Sequence, residues 1–268
     1  MLFKLNNRAL LRLSGTDAKD FLQAQLSNDI TKLDIGNVQL SAYCQHQGKI
    51  LALFWVMRDG DDFLLSFPAD LVEILLPRLR MFVLMSDVTI TDVSAKLAQI
   101  GSIDKNNGDS YSINDRLSVE LVASESVAKI EFSSLGEWVK TCIATALPEV
   151  TDATTEMFVP QMLNLDIDEI GVNFTKGCYP GQEVVARLHY LGKAKRRLFE
   201  FKSSEPLCVG DSLYCESSKS VKASGIVVSQ VKSDSEFLCL ATLEVAHKDD
   251  LITSNSTDGA ILTRIEHE

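Results

Sequence analysis

The pattern of short apolar runs changes once along this chain of 268 residues, near residues 193–196. Before that point, runs of strand length alternate with segments of helical periodicity, whereas after it only short strand-like runs remain. Several short strands at such spacing are typical of a small β-barrel or sandwich. We therefore predict an α+β fold in which residues 1–194 form one region and residues 195–268 form a C-terminal β-barrel.

The same patterns assign the individual elements. Helical periodicity occurs over 18–26, 70–80 and 136–147, and again from Gly181 onward. Pro77 lies inside the second of these helices, where a missing backbone donor favours a bend or an end. Strands are predicted over 5–13, 40–44, 50–57, 63–67, 83–93, 97–103, 117–121, 129–132, 197–201, 212–215, 223–231 and 237–242.

The acidic balance of the chain limits its partners. It has 26 Lys and Arg against 37 Asp and Glu, a net charge of −11. Proteins that bind nucleic acid mainly through phosphates show an excess of basic residues, so we do not expect tight, general RNA binding. The apolar runs are shorter than the ~20 residues that span a bilayer, and residues 1–13 lack the apolar core of a secretory signal. We expect a soluble, cytoplasmic protein with no membrane partner.

The cysteines are expected to be reduced and structural, with one exception discussed below. There are six cysteines and four histidines, and no Cys-x-x-Cys occurs. The histidines form no zinc-like spacing with the cysteines. We therefore predict no metal site. The cysteines are Cys44, Cys142, Cys178, Cys208, Cys215 and Cys239, and the histidines are His46, His189, His247 and His267.

The segment from Lys176 to Arg187 differs from the rest of the chain. Its glycines bracket Cys178, which indicates a tight loop. If a helix begins after Gly181, Cys178 lies just before a helix N-terminus and close to Lys176, and both features favour a thiolate. The free amides of such a helix start can also hold an anion. The alternative is an inert cysteine packed inside a loop.

The residues Lys-Gly-Cys-Tyr-x-Gly-Gln-Glu from Lys176, followed by Ala186-Arg187, resemble the signature of the YgfZ family. Members of this family are folate-binding proteins related to the T-protein of the glycine cleavage system. The similarity covers nearly the whole chain and is weakest over 100–130 and after 200. It includes Pro160-Gln161, Asn164-Leu165, Gly48-Lys49 and the segment 15–29.

The resemblance implies a T-protein-like region of interleaved α+β subdomains around a central channel, followed by the barrel. Tetrahydrofolate or a derivative would lie in this channel, ringed by the motif loop. Trp138 would stack on the folate or pack in the core, and Arg8 stands where the family has another tryptophan. Arg187 would pair with the carboxylate tail. The implied folate contacts are Arg8, Trp138, Lys176, Tyr179, Gln182, Glu183 and Arg187.

A local run of basic residues contrasts with the net negative charge of the chain. It consists of Lys176, Arg187, Lys193, Lys195, Arg196 and Arg197. Such a run is either a solvated edge or a binding site for an anion, which would be the folate tail or an RNA phosphate.

The resemblance also bears on catalysis. T-proteins have a catalytic aspartate at a position that aligns with Leu51-Ala52, and apolar side chains cannot act as a general base. We therefore doubt aminomethyl transfer. The implied role is support of iron–sulfur cluster assembly or repair and, through iron–sulfur enzymes, of tRNA modification and processing. Cys178 is the candidate reactive thiol. A folate-dependent aminomethyltransferase-like enzyme, a folate sensor without chemistry and a direct tRNA-binding factor remain alternatives.

Overall fold

The computed structural model describes residues 1–104, 108–218, 223–255 and 259–266. Within these ranges the α-helices are α1 (Ala18–Gln25), α2 (Val72–Met81), α3 (Leu135–Ala144) and α4 (Gln182–Leu191). The strands are β1 (Leu2–Lys4), β2 (Arg8–Ser14), β3 (Val38–Cys44), β4 (Ile50–Asp59), β5 (Asp62–Pro68), β6 (Thr89–Asp92), β7 (Leu97–Ile103), β8 (Tyr111–Ser112), β9 (Leu117–Ala123), β10 (Arg196–Ser203), β11 (Ser212–Cys215), β12 (Gly225–Ser233), β13 (Glu236–Glu244), β14 (Ile252–Ser254) and β15 (Ile261–Arg264).

A five-stranded antiparallel sheet, in the order β3-β4-β5-β2-β6, separates two hydrophobic cores. Side chains of a strand alternate between the two faces of its sheet. On β4, Phe54 therefore packs in the core that includes Leu22 of α1 and Leu75 of α2. The next residue, Trp55, packs in the opposite core together with Trp138 of α3. Both faces of β4 are buried, which explains its nearly continuous apolar sequence.

A second, four-stranded sheet in the order β1-β7-β9-β8 covers the Trp55 side of the first. Trp138 lies across β7 at Gly101, where an added Cβ would be 2.5 Å from Cζ3 of the indole. Phe3 of β1 is 5.9 Å from Trp138 between ring centroids. The absence of a side chain at Gly101 is therefore what allows the indole to pack flat against this sheet.

The last six strands form a closed antiparallel barrel in the order β10-β13-β12-β11-β14-β15. Its interior is filled by apolar side chains such as Phe201, Leu213 and Leu243. Its outer face shares a core with the preceding region, because Leu198 and Leu240 pack in the same cluster as Trp138. The predicted α+β fold with a C-terminal barrel is confirmed.

Individual predictions differ in accuracy. The strands predicted over 97–103 and 212–215 have these bounds in the structure, and the helix predicted from Gly181 is α4. Helix α2 continues through Pro77. The strand predicted over 83–93 is wrong except for β6, because the chain turns before it, with Met85 at a φ of 74°. The strand predicted over 129–132 is also wrong, since a 3-10 helix occupies Ser124–Lys129.

Candidate functional site

A cavity of about 490 Å³ lies beside the five-stranded sheet. Its size is within the range of roughly 300–1,000 Å³ that is usual for small-molecule sites. It is lined by residues of β3 and β4, by the segments 32–34, 112–115 and 145–148, and by Ile170. The lining combines apolar side chains such as Leu40 and Trp55 with polar ones such as Gln39 and Asn114. Such a surface suits a flat ligand that carries hydrogen-bonding groups at its edges.

Trp55 connects this cavity with a smaller one of about 50 Å³. The smaller cavity is also lined by Arg8, Trp138 and Ser229. The guanidinium of Arg8 lies 3.5 Å from the centroid of the Trp55 ring, and the two indoles are 6.4 Å apart. We refer to Arg8, Trp55 and Trp138 as the tryptophan cluster. Arg8 and Trp138 were predicted from the sequence as folate contacts. In the structure both lie next to Trp55.

The polar contacts of Arg8 hold its guanidinium in place. Its Nε donates a hydrogen bond of 2.8 Å to Oγ of Ser66, and its Nη1 forms an ion pair with Glu149. Burial lowers the pKa of Arg8, and the neighbouring Glu149 partly offsets this effect. The guanidinium thus already lies over the ring of Trp55. A ligand in the cavity would contact the same indole.

Two polar atoms at the cavities are buried without a hydrogen-bond partner among the described residues. They are Oε1 of Gln39 in the larger cavity and Oγ of Ser229 in the smaller one. The amide nitrogen of Gln39 donates to the carbonyl oxygen of Asp29 at 2.8 Å, which orients the side chain. Buried polar groups normally have partners, and a bound ligand with edge donors would provide them.

The motif segment, residues 176–187, is anchored to α1 by Lys176. The buried ammonium of Lys176 donates to the carbonyl oxygens of Gln23 at 2.6 Å and Asn28 at 3.0 Å, and also to that of Leu26. These carbonyls end or follow α1, where a cation is favourable. Burial lowers the pKa of Lys176 to about 8, and Asp29 acts in the opposite direction.

The other predicted residues of the motif segment lie near Lys176 or on α4. The ring of Tyr179 is buried with its centroid 5.4 Å from Nζ of Lys176, and burial raises its pKa. Gln182 and Glu183 form the first turn of α4, and the thiol of Cys178 is exposed. Arg187 lines a separate open cavity with Val184 and Leu188. The described lining of the 490 Å³ cavity contains no residue of the motif segment.

Asn28 separates the motif segment from the cavity. Its side-chain amide donates to the carbonyl oxygens of Leu40 at 3.0 Å and Ile170 at 3.3 Å, two residues that line the cavity. Its own carbonyl oxygen accepts from Lys176. Lys176 is therefore linked to the cavity lining through one residue, Asn28.

Two glycines of the predicted signature meet in space. Gly181 has a φ of +82°, and a Cβ at this position would lie 2.4 Å from the carbonyl oxygen of Gln45 and 2.7 Å from Cα of Gly48. Both the left-handed backbone and the close approach require glycine. The turn after β3 and the start of α4 are therefore fitted to each other.

Leu51 and Ala52 are buried in the core on the α1 and α2 side of β4. The strand pairing is irregular here, because Tyr43 pairs with Ala52 and Cys44 with Ile50, leaving Leu51 as a bulge. The two side chains thus belong to the core opposite to the one that contains Trp55.

The predicted cationic run is divided in the structure. Arg197 forms a two-pronged ion pair with Asp166 at 2.5 and 3.0 Å, and Arg196 pairs with Glu244 at 3.3 Å. Lys176 is buried, as described above. Half of the run is therefore engaged within the protein, which weakens the case for an RNA-binding surface.

Sequence reasoning missed Trp55, although the chain has only two tryptophans. The residue lies inside the apolar run of β4, and such a run looks like core throughout. The available signal was the period of the strand, which places every second residue on the cavity side.

The described helices include none with both the length and the apolar character needed to cross a bilayer. No family model matches the chain. The fold is that of the aminomethyltransferase T-proteins: the crystal structure of glycine cleavage system aminomethyltransferase T from Bartonella henselae superposes with a TM-score of 0.74 at 14% identity, covering 99% of this chain and 84% of that one.

Among curated proteins, an uncharacterized protein of Haemophilus influenzae is 30% identical over 86% of this chain and 84% of its own length. The tRNA-modifying protein YgfZ of Colwellia psychrerythraea is 28% identical over 93% of this chain and 86% of its own length. The protein of the same name from Escherichia coli is 25% identical, with coverages of 86% and 81%. The chain belongs to the YgfZ family, as its motif segment predicted.

Proposed function

We propose that this protein binds tetrahydrofolate or a derivative in the 490 Å³ cavity and supports iron–sulfur enzymes in the cytoplasm, and through them tRNA modification. The observation that carries the proposal is the tryptophan cluster at a cavity of this size within a T-protein fold. A pteridine ring is flat and has donors and acceptors around its edge. An indole face and unpartnered side-chain oxygens complement it.

Trp55 is the proposed main contact of the pteridine ring, since it lines both cavities. Trp138 packs against Trp55, and the guanidinium of Arg8 lies over the Trp55 ring. The motif segment has a different role in this proposal. Lys176, packed beside the buried Tyr179, binds the backbone of Asn28, whose side chain contacts the lining residue Leu40, while Gln182 and Glu183 begin α4.

Cys178 is the proposed reactive group, and its exposure suits a reaction with a protein partner rather than with folate. An iron–sulfur enzyme or an assembly protein could reach this thiol directly. The buried cysteines are poor candidates, because burial raises the pKa of Cys44, Cys142 and Cys239 to about 12.

Aminomethyl transfer is not part of this proposal, because Leu51 and Ala52 place apolar side chains in a closed core where a carboxylate would be needed. The test is an assay for one-carbon transfer from a glycine-cleavage carrier protein to tetrahydrofolate. We expect no turnover, and clear turnover would refute this part of the proposal.

Folate binding is tested by calorimetric titration of the reduced protein with tetrahydrofolate. We expect saturable binding that Trp55→Leu weakens by roughly 5- to 150-fold, the equivalent of the ~1–3 kcal/mol that stacking on an aromatic side chain contributes. Trp138→Leu should have a smaller effect, because Trp138 lines only the smaller cavity.

Phe201→Leu is the matched control for this titration. Phe201 is a fully buried aromatic residue of the barrel core, so its replacement destabilises the fold without touching the cavity. Equal losses of affinity in Trp55→Leu and Phe201→Leu would mean that the effect is general destabilisation. No binding of tetrahydrofolate to the unaltered protein would refute the proposed ligand.

A further inference from the structure

Three potential metal ligands converge at the edge of the barrel, far along the chain from the motif segment. Oδ2 of Asp250 lies 3.3 Å from Sγ of Cys215 and 2.9 Å from Nδ1 of His247, and all three ligand atoms are within 4.8 Å of one another. The hydroxyl oxygen of Ser217 lies 3.0 Å from both Sγ and Nδ1 and also contacts Asp250. We refer to Cys215, His247 and Asp250 as the thiol cluster.

The closure of the barrel creates this cluster. Cys215 is the last residue of β11, and it pairs with Ile252 of β14. Asp250 therefore comes just before the strand that lies next to Cys215, and His247 ends the 3-10 helix that leads into this segment. Since β14 was not predicted, the proximity of residues near 250 to Cys215 could not be inferred from the sequence.

The geometry does not match a nucleophilic triad. In a triad the two nitrogens of the histidine ring have different partners, one the nucleophile and the other the carboxylate. Here Ser217 and Asp250 both contact Nδ1 of His247, whereas Nε2 is 3.9 Å from the carboxylate of Glu244. The sulfur, nitrogen and oxygen atoms instead form one close group, all within 4.8 Å of one another, which is compact enough for one ion.

We propose that the thiol cluster is a binding site for a divalent transition metal of the zinc type. With Zn–S of about 2.3 Å and Zn–N and Zn–O of about 2.0 Å, tetrahedral geometry places sulfur about 3.5 Å from oxygen and nitrogen about 3.3 Å from oxygen. The observed separations of 3.3 and 2.9 Å differ by only a few tenths of an ångström. The Ser217 hydroxyl contacts all three ligand atoms, so it or a water molecule would be the fourth ligand.

The chemistry of the ligands agrees with this assignment. A thiolate, an imidazole and a carboxylate together favour zinc-like ions over calcium or magnesium, which prefer oxygen ligands alone. Glu244 stands on the far side of His247, where a carboxylate commonly orients a metal-bound imidazole.

A metal in this position would join the end of β11 to the segment before β14 and so stabilise the closure of the barrel. It would be independent of the folate cavity and of Cys178. The prediction of no metal site rested on sequence spacing, which cannot show a cluster assembled from residues 215, 247 and 250. Of the histidines considered there, His267 lies outside the described residues.

The test is a titration of the full-length, reduced and chelator-treated protein with Co²⁺, which reports on a thiolate ligand through its sulfur-to-cobalt charge-transfer absorption. We expect this band to saturate at one equivalent and to disappear when Zn²⁺ displaces Co²⁺. Asp250→Asn and His247→Ala should each weaken binding at least ~100-fold, since even loss of an outer-shell partner typically costs 10- to 100-fold.

Two of the variants have a matched control. Asp249→Asn removes the neighbouring carboxylate, which is bound to Arg264 rather than to the cluster, and should bind Co²⁺ like the unaltered protein. Cys215→Ser should abolish the charge-transfer band, whereas Cys208→Ser, at an exposed cysteine of the same barrel, should retain it. Because Cys215 is buried, Cys215→Ser can fail to fold. The variants at the more exposed Asp250 and His247 then test the metal site. Absence of the band, or equal affinities for Asp249→Asn and Asp250→Asn, would overturn the proposal.

Discussion

The tryptophan cluster and the motif segment differ in how they are built. The tryptophan cluster consists of large side chains packed in or against a core shared by the sheets, α3 and the barrel. The motif segment depends on its backbone: Gly181 fits against Gly48, and Lys176 binds three carbonyl oxygens. Cys178, the proposed reactive residue of this segment, is exposed.

This difference explains why the motif segment is recognisable in the sequence and the cavity is not. A left-handed backbone and a close approach between two chains leave glycine as the only choice. A cavity lining can be composed of many combinations of apolar and aromatic side chains.

The largest expected effect separates the two regions by function. We expect Cys178→Ala to lose all support of iron–sulfur enzymes in cells that lack their own YgfZ-family protein, while its affinity for tetrahydrofolate stays unchanged. The readouts are the activity of an iron–sulfur enzyme and the level of an iron–sulfur-dependent tRNA modification.

Cys208→Ala provides the control for that experiment, because Cys208 is also an exposed cysteine but belongs to the barrel. It should support the cells fully. Full rescue by Cys178→Ala would remove this thiol from the mechanism.

The next effect concerns the backbone of the motif segment. Gly181→Ala should lower the free energy of unfolding by ~2–4 kcal/mol. The alanine would be strained in the left-handed backbone conformation, and its Cβ would also clash with Gln45 and Gly48. Gly177→Ala should cost less than ~1 kcal/mol, because no atom lies within 4 Å of its added Cβ. Urea unfolding of both variants measures the difference, and similar values would mean that the two loops are not fitted to each other.

The smallest effect is a pH dependence of stability caused by Lys176. Burial lowers its pKa from 10.5 to about 8, so between these values the unfolded chain binds more protons than the folded protein. The free energy of unfolding therefore rises with pH in this window. We expect this rise to be steeper in the unaltered protein than in Lys176→Met, as measured by urea unfolding from pH 8 to 10.5. Parallel curves would show that Lys176 has an ordinary pKa.

The sequence was most informative where local rules determine the structure. The α4 helix after Gly181, β7 and β11 follow from periodicity and turn residues. The strands β14 and β15 were missed, and their three and four residues carry only a weak periodic signal. The equally short β11 was nevertheless predicted, so length alone does not decide the outcome. Their stability comes from pairing with β11 and β10, which are distant in sequence.

The candidate site was predictable only in part for the same reason. Arg8 and Trp138 were identified through resemblance, but Trp55, which joins them, looks like any other residue of a buried strand. The absence of the motif segment from the described cavity lining was not predictable either, since this part of the fold depends on contacts such as that of Asn28 with Ile170, which link distant parts of the chain. No local pattern in the sequence reports such contacts.

The separation of ligand binding from thiol reactivity is tested most directly by the rate at which Cys178 is alkylated with and without saturating tetrahydrofolate. Mass spectrometry measures the rate at Cys178, and the exposed Cys208 serves as the internal reference. We expect the ratio of the two rates to be unchanged by tetrahydrofolate, because the described lining of the cavity contains neither Cys178 nor any other residue of the motif segment. Strong protection of Cys178 alone would place its thiol in the ligand site and contradict the account.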